Sequence, residues 1–266
     1  MRLKSSLFNI PFVNNVLFYD TIDSTNNKAK ELARRGSVDG SLVVGIKQTA
    51  GRGRLGRSFN SNDDGGLYFS IMLRPKVAAE HLSRITLVTA LAVTKAINSF
   101  CNVTASIKWP NDIYLNGKKL VGILTEAGPD YVVIGIGVNV NTKAFSAELA
   151  GLATSLYLEA DKEYDKAELL SHILKQLNDL CDIFLESKDL SFMMDQYNNH
   201  LNVLDKDIYL IPQQLTLSAS NPSLIDTSSL DAVHCLGINE TGDLVCRDKL
   251  GKLHYVNSGE VSLRIV

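Results

Sequence analysis

The alternation of hydrophobic and polar positions divides the chain into short strands and a few helices. Apolar, β-branched runs predict strands at residues 16–19, 42–46, 67–73, 104–109 and 131–138. Apolar positions at helical spacing predict helices that start near residue 25 and end at Gly36, and over residues 80–100, 169–185 and 192–200. Strands and helices mixed in this order predict an α/β (α+β) domain.

Two further patterns complete the predicted fold. Asn116-Gly117, between apolar runs at residues 113–115 and 119–126, predicts a tight β-hairpin. After Leu204 the helical pattern stops, and short strands are predicted at residues 208–210, 215–217, 233–236, 244–246, 254–256 and 261–263. So many short strands in about 60 residues predict a small β-barrel. We therefore expect two domains, residues 1–204 and 205–266, with residues 218–229, rich in Ser and Asn, in an exposed loop.

Composition narrows the class of protein. The 266 residues carry 45% hydrophobic and 21% charged residues, with a formal net charge of -2. These values are ordinary for a globular protein and lack the strongly basic balance of general nucleic-acid binders. No uninterrupted apolar stretch approaches the length of a transmembrane helix, and the N-terminus lacks the pattern of a signal peptide. We expect a cytoplasmic protein that does not enter the membrane.

Cysteines and histidines give no sign of a metal site. The four cysteines lie far apart without a C-x-x-C pair, which is typical of buried thiols in a reducing compartment: Cys101, Cys181, Cys235 and Cys246. The five histidines show no metal-ligand spacing. The ligands of any metal remain unknown at this stage.

The strongest chemical signal is an arginine–glycine loop. Three arginines and three glycines fall within residues 51–57, namely Gly51, Arg52, Gly53, Arg54, Gly56 and Arg57. Glycine allows close approach of the backbone, and arginine offers a fork of donors suited to carboxylate and phosphate oxygens. The spacing also fits nucleotide-binding glycine motifs, but those need a helix directly after the loop, and residues 59–66 predict turns. We interpret it as an anion-binding loop, with a solvated basic loop as the alternative.

Three other segments carry chemistry that their local structure does not require. Ser24-Thr25-Asn26 opens a helix, where simple capping is the alternative. Lys108 to Asp112 ends a strand and holds the only tryptophan, although Pro-Asn-Asp alone would form a turn. Gly135 and Gly137 weaken a core strand, which indicates that something lies against its backbone.

Taken together and in order, these segments resemble the biotin protein ligases. The resemblance covers about residue 16 to the end and lies in residues 23–26, 48–57, 108–112, 122–126, 135–141 and 259–264. It implies a mixed sheet with flanking helices followed by an SH3-like barrel. It also implies a two-step reaction, in which biotin and ATP form biotinyl-5′-adenylate and a lysine of a carrier protein then takes the biotinyl group. The implied substrates and cofactors are biotin, ATP and Mg²⁺.

The resemblance assigns roles to particular residues. Lys108 would lie between the biotin carboxylate and the α-phosphate, while Arg52 and Arg54 close over the biotin tail and the phosphates. Arg57 would contact phosphate or nucleotide. Ser24, Thr25 and Gln48 would bind the ureido ring. The remaining implied contacts are Asn26, Gly53, Gly135 and Gly137 for biotin, Asn111 for phosphate or metal, and Asn139 for adenine.

The resemblance also sets expectations about partners and alternatives. The acceptor would be the biotin carboxyl carrier protein of acetyl-CoA carboxylase. Too few residues precede the first strand for the DNA-binding module of some relatives, so we expect no DNA binding, and a homodimer stays open. Ala153 stands where some relatives place a tryptophan over the adenylate. Lipoate protein ligase and a non-catalytic biotin-binding module are the alternative functions.

Overall fold

A seven-stranded mixed sheet organises the first part of the chain. The computed structural model describes residues 9–212, 214–215, 225–257 and 261–266. The strands of this sheet are β1 Asn15–Ile22, β2 Ser41–Gln48, β3 Leu67–Leu73, β4 Ser106–Lys108, β5 Asp112–Leu115, β6 Lys118–Ala127 and β7 Val132–Val138. Their order is β1-β2-β3-β7-β6-β5-β4, and only β1 and β2 pair in parallel. The predicted α/β fold and the positions of the predicted strands are confirmed.

Helices cover the two faces of this sheet unequally. They are α1 Thr25–Arg34, α2 Ala79–Leu82, α3 Ile85–Cys101, α4 Leu156–Ala160, α5 Lys166–Ser187 and α6 Met194–His200. Helix α1 packs alone on β2, β3 and β7, whereas α3 packs on β4, β5 and β6 with α5 behind it. The predicted helix over residues 80–100 is two helices, separated by a turn at Ser83 and Arg84. Helix α4 was not predicted, because five residues are too few to show a helical period.

The hydrophobic core lies mainly on the side of α3 and α5. Alternate strand residues such as Phe69, Ile71 and Ile123 join α3 residues such as Leu91 in one large buried cluster. A second, smaller cluster joins Ala29 and Ala33 of α1 to the opposite face. All four cysteines are buried free thiols, as predicted. Within the described ranges, no helix combines the length and apolarity needed to cross a bilayer.

The last part of the chain forms a five-stranded antiparallel sheet. Its strands are β8 Asp207–Pro212, β9 Ala232–Ile238, β10 Leu244–Arg247, β11 Leu253–Val256 and β12 Val261–Ile265, in the order β11-β10-β9-β8-β12. This arrangement confirms the small β-barrel prediction. Trp109 ties the sheet to the first domain, because its indole Nε1 donates to the Gly242 carbonyl at 3.2 Å. The boundary at residues 204/205 stays a prediction.

Three expectations concern residues that the structure does not describe. Of the strand predicted at residues 215–217, Leu215 lies in a helical turn, and Thr216 and Leu217 lie outside the described residues. Most of the predicted loop, residues 218–224, also lies outside them, as do Gly259 and Glu260 of the motif near the C-terminus.

Candidate active site

Strand register places a row of glycines on the sheet face that α1 covers. Gly122 of β6 pairs with Gly137 of β7, and Asp112 pairs with Gly122. In the next row, Gly135 lies between Leu124 and Ser70. Because paired residues on neighbouring strands project to the same face, these positions form one surface with few side chains of its own.

The glycines of this surface make room for side chains from other segments. A Cβ built on Gly137 would lie 2.7 Å from the ring of Phe59, and one built on Gly122 would lie 2.9 Å from the same ring. A Cβ on Gly135 would lie 1.8 Å from Oδ1 of Asn26. Any larger residue at these three positions would therefore clash. The predicted contact of Gly135 and Gly137 with a ring ligand stays a prediction.

A narrow pocket opens beside these glycines. It is lined by Ser24, Thr25, Asn26, Gln48, Arg52, Phe59, Gly122, Leu124, Gly135, Ile136 and Gly137. Seven of the residues predicted for the site are among them. The free volume is about 30 Å³, close to the volume of one water molecule in the liquid. The pocket is therefore small in this structure, and the Phe59 ring occupies the space above Gly122 and Gly137.

A buried hydrogen-bond network forms one wall of the pocket. Gln48 Oε1 accepts from the Thr25 backbone N–H at 2.8 Å and from its hydroxyl at 3.1 Å. Ser70 Oγ lies 2.8 Å from Thr25 Oγ1 and donates to Asn26 Oδ1 at 2.6 Å. The wall is therefore fixed in place by hydrogen bonds between four side chains of three separate segments.

Two polar groups of this wall stay open toward the pocket. Ser24 Oγ and Gln48 Nε2 have no hydrogen-bond partner in the part of the chain that the structure describes, and both residues are buried. Ser24 is the N-cap residue of α1, yet its side chain makes no capping hydrogen bond. Capping therefore does not explain the serine, and both groups are available to a ligand with donors and acceptors.

The arginine–glycine loop separates its arginines. Arg52 reaches the pocket edge, where its Nη1 lies 3.0 Å from both carboxylate oxygens of Glu126. Arg54 donates to Asn111 Oδ1 at 2.9 Å. It lines a second cavity of about 330 Å³ together with Ile123 and Thr125, which face the other side of β6. The two arginines therefore have different partners here, and the predicted closure of Arg52 and Arg54 over a bound ligand stays a prediction.

The loop itself is closed by its own backbone. Gly53 N–H donates to the Arg57 carbonyl at 2.7 Å, and Arg52 bridges to Ser58. Only the short 3₁₀ turn Arg54–Gly56 lies within it, and residues 57–66 contain no helix. The prediction that no helix follows the glycines is confirmed, so the loop is not a nucleotide-binding turn of the helix-opening kind.

Lys108 is half-buried at the end of β4, in a group of charged side chains. Its Nζ is 3.3 Å from the Tyr114 hydroxyl and 5.0 Å from the centre of that ring. Burial lowers the pKa of the Lys108 ammonium; the charge of Asp112 raises it, while the charges of Arg264 and Arg57 lower it. Three cations around one carboxylate leave a local excess of positive charge, which suits a phosphate or carboxylate.

A second lysine, Lys119, lies at the pocket mouth and was not predicted. Its Nζ is 2.8 Å from Asp112 Oδ1 and 5.9 Å from the centre of the Phe59 ring. Its Cε would lie 3.4 Å from a Cβ on Gly122. A β-bulge explains this position, because Tyr114 pairs with Lys119 while Asp112 pairs with Gly122. Strict alternation would have put Lys119 on the opposite face from Gly122.

The two candidate asparagines have structural partners. Asn111 Nδ2 donates to the Ile123 carbonyl at 3.1 Å, beside its contact with Arg54. Asn139 is buried and donates to the Thr154 carbonyl at 3.0 Å, next to Ala153, which pairs with Lys119. Their roles toward metal, phosphate and adenine stay predictions. Among the described residues, no group of three His, Cys, Asp or Glu side chains could hold a metal ion.

Sequence reasoning gave no role to several residues of the site: Phe59, Ser70, Lys119, Gly122, Leu124 and Glu126. Alternation along β6 does predict that Gly122, Leu124 and Glu126 share a face, so this part of the pocket was open to prediction. Phe59 and Ser70 carried no signal, because their contacts come from distant segments.

Fold and site together define a two-part α/β protein with a polar, glycine-lined pocket on one face of its larger sheet. The sequence pattern of the biotin/lipoate A/B protein ligase family matches residues 18–139. A solved structure, "Biotin protein ligase from Aquifex aeolicus in complex with biotin and ATP", is 31% identical, with a TM-score of 0.80, over 95% of this chain and 100% of that one. The chain belongs to the biotin/lipoate A/B protein ligase family.

Curated relatives are similar over part of their length. The bifunctional ligase/repressor BirA of Bacillus subtilis is 42% identical over 166 residues, which are 60% of this chain and 51% of that protein. The biotin--[acetyl-CoA-carboxylase] ligase of Mycobacterium tuberculosis is 35% identical over 161 residues, 58% of this chain and 59% of that protein. The matched region thus spans a little over half the length of these relatives.

Proposed function

We propose that this chain is an ATP-dependent ligase that activates biotin as biotinyl-5′-adenylate and transfers it to a lysine of a biotin carboxyl carrier protein of acetyl-CoA carboxylase. One observation carries the proposal. Arg52 lines a pocket with open hydrogen-bonding groups at Ser24 and Gln48, and two further cations, Lys108 and Lys119, interact with Asp112, whose strand partner Gly122 lines the same pocket. The names of the relatives support biotin as the acid.

The reaction needs two anions held together. A carboxylate oxygen of biotin attacks the α-phosphorus of ATP, the bond to the leaving pyrophosphate breaks, and an acyl-phosphate anhydride forms. The amine of the carrier lysine then attacks the acyl carbon, and AMP leaves as the amide forms. Charge builds up on phosphate oxygens in the first step, so fixed cations stabilise its transition state more than its ground state.

The cations divide this task. Lys108, beside the charges of Arg57 and Arg264, would hold the α-phosphate against the carboxylate. Lys119, at the pocket mouth, is the second candidate for binding the α-phosphate. Because the described residues offer no cluster of carboxylates, Mg²⁺ would arrive with the phosphates of ATP, and no step proposed here depends on protein ligands to it.

The ring of biotin would lie near the polar wall. Its ureido group offers donors and an acceptor, which suit the open Ser24 Oγ and Gln48 Nε2. Phe59 would leave the glycine surface as the ring enters and then pack against it, since its ring already lies within the pocket lining. Thr25 and Asn26 hold this wall through Ser70 and Gln48.

The experiment is biotin-dependent release of pyrophosphate from ATP, with lipoate in a parallel reaction and an apo carrier domain added afterwards. Release with biotin, followed by the mass gain of the carrier, is the expected result. Release with lipoate alone would move the chain to lipoate ligation, the other activity in the family name. No pyrophosphate release with either acid would indicate a non-catalytic binding module and would refute the proposed role of Lys108.

A further inference from the structure

Glu126 is the point at which three segments meet at the pocket edge. Its carboxylate accepts from Asn26 Nδ2 at 3.0 Å and from Lys30 Nζ at 2.8 Å, both on α1. It also accepts from Arg52 Nη1 of the arginine–glycine loop, at 3.0 Å to each oxygen. One carboxylate of β6 thereby connects α1 to the loop across the rim of the pocket.

Arg52 is held by one end of its guanidinium. All its side-chain hydrogen bonds to described residues leave from Nη1, two to Glu126 and one to Asn27 Oδ1 at 3.2 Å. Nε and Nη2 therefore keep three N–H donors for a ligand. Nε and Nη2 form an edge of the guanidinium with two parallel N–H donors, which suits a carboxylate or phosphate.

The charges around Glu126 favour an anionic ligand. Lys30 and Arg52 bring two positive charges and Glu126 one negative charge, so the cluster keeps one net positive charge. Burial raises the pKa of the Glu126 carboxyl, but hydrogen bonds from Lys30 and Asn26 and the nearby cations bring it below its ordinary value. Glu126 is therefore ionised at neutral pH, and its single negative charge offsets only one of the two positive charges beside it.

The cluster is also connected to the polar wall. Asn26, which donates to Glu126, accepts from Ser70 on the other side of its amide, and Ser70 in turn contacts Thr25. Asn26 Nδ2 also donates to the Leu124 carbonyl at 3.2 Å, so three hydrogen bonds fix its side chain in the orientation that Glu126 needs. The loop arginine is held in a direction set by the same network that would bind the ring.

We propose that Glu126 is a positioning residue, which holds Arg52 so that its Nε–Nη2 edge faces the carboxylate or α-phosphate of the bound acyl-adenylate. This role rests on the proposed ligase function and adds to it a carboxylate that contacts no substrate itself. Pre-orienting a cation removes part of the ordering cost when the ligand binds.

The first test measures the hold on the loop without any ligand. Amide hydrogen exchange of residues 51–57 is compared in wild type, Glu126→Gln and Glu31→Gln. Glu31 of α1 is a matched control, because it forms ion pairs with Lys28 and with Arg35, the residue after the helix, and does not line the pocket. We expect exchange at least about fivefold faster in Glu126→Gln and unchanged in Glu31→Gln, since a charge-assisted hydrogen bond is lost only in the first.

The second test is a double-mutant cycle on biotin-dependent pyrophosphate release. Glu126→Gln should lower kcat/KM about tenfold when Arg52 is present and less than about twofold in the Arg52→Ala background. Arg52→Lys keeps the ion pair but lacks the second edge, so loop exchange should stay slow while kcat/KM falls. Hydrogen exchange thus reports whether the loop is held, and kcat/KM reports whether the free edge of Arg52 binds the ligand.

Two outcomes would overturn the proposal: loop exchange that does not change in Glu126→Gln, or an equal penalty in both Arg52 backgrounds. The second would show that Glu126 acts through Asn26 and the fold. A wild-type protein that releases no pyrophosphate with either acid would instead refute the proposed function, and the exchange data would still decide whether Glu126 holds the loop.

Discussion

The two faces of the seven-stranded sheet have opposite compositions, although they alternate along the same strands. On the face beneath α3, neighbouring strands present Phe69, Ile71, Ile123 and Ile136, all buried. On the face beneath α1, the strand positions at the pocket are Gly122, Gly135, Gly137 and Ser70, and the glycines leave room for Phe59 and Asn26. The first face carries most of the hydrophobic core and stabilises the fold, while the second gives up side-chain packing around its glycines to make a pocket.

This division means that stability and chemistry can be changed separately. A change on the apolar face acts through lost burial, and a change on the pocket face acts through lost charge or hydrogen bonds. Active-site surfaces commonly lower stability in this way. Four changes test the comparison.

The largest expected effect is on the apolar face. Leu91→Ala, at a fully buried position of α3, should lower the free energy of unfolding by about 2–5 kcal/mol through cavity formation. Turnover per folded molecule should stay near wild type. Denaturant unfolding and active-site titration measure the two quantities, and Leu250→Ala, at an exposed leucine, is the control. A large fall in turnover of the folded fraction would show that the two faces are not separable.

Lys108 gives the largest effect on the pocket face. Lys108→Ala should fold and lose adenylation about a hundredfold or more, because a cation that acts mainly in the transition state is removed. Lys119→Ala shows whether the second lysine shares this role, and Lys143→Ala, at an exposed lysine paired with Glu163, is the control. Near-normal pyrophosphate release by the Lys108 variant would refute its role.

Ser70 tests the polar wall. Ser70→Ala should lower the free energy of unfolding by about 1–3 kcal/mol, because the buried Asn26 Oδ1 loses its donor. It should also weaken biotin binding several-fold, which calorimetry would measure. The exposed Ser99→Ala is the matched control, since Ser99 bonds only to the nearby Ala96 carbonyl. Unchanged stability together with unchanged affinity would show that the wall does not depend on this hydroxyl.

The smallest effect concerns pH. Burial and the charges of Arg264 and Arg57 lower the pKa of Lys108, so its charged form is lost at a lower pH than for an ordinary lysine. Adenylation should therefore fall as pH rises through this lowered value. Arg264→Gln removes a like charge, so the fall in adenylation rate should shift to higher pH, by less than about one pH unit. If the rate falls at the same pH in this variant, a group other than Lys108 controls the pH dependence.

The lowered pKa of Lys108 also makes the free energy of unfolding depend on pH in a defined direction. The unfolded chain holds the Lys108 proton up to the ordinary lysine pKa, while the folded chain releases it earlier. The free energy of unfolding should therefore rise with pH between the lowered pKa and the ordinary one. Lys108→Met should remove that slope, and it should stabilise the fold at neutral pH because the cost of burying the charge disappears.

Local pattern predicted much of the fold. The Asn116-Gly117 hairpin, with both residues at positive φ, and the strand Leu67–Leu73 lie where the sequence predicted them. The pocket was predicted in part, since Ser24, Thr25, Gln48 and Arg52 do line it. The different partners of Arg54 and Arg52 were not predicted, because Asn111, just before β5, and Glu126 of β6 are distant in sequence and no local rule brings them to the loop.

The sequence by itself determined which residue types alternate along each strand, and with them the apolar and the glycine-bearing face. Only the tertiary structure decided which groups meet on the second face. A one-residue bulge turns Lys119 toward the pocket. Arg52 forms its hydrogen bonds with Glu126, which is 74 residues further along the chain. Alternation is a property of neighbouring residues, whereas register and loop contacts depend on how distant segments pack. Alternation can therefore be read from the sequence, whereas register and loop contacts are established only when the chain folds.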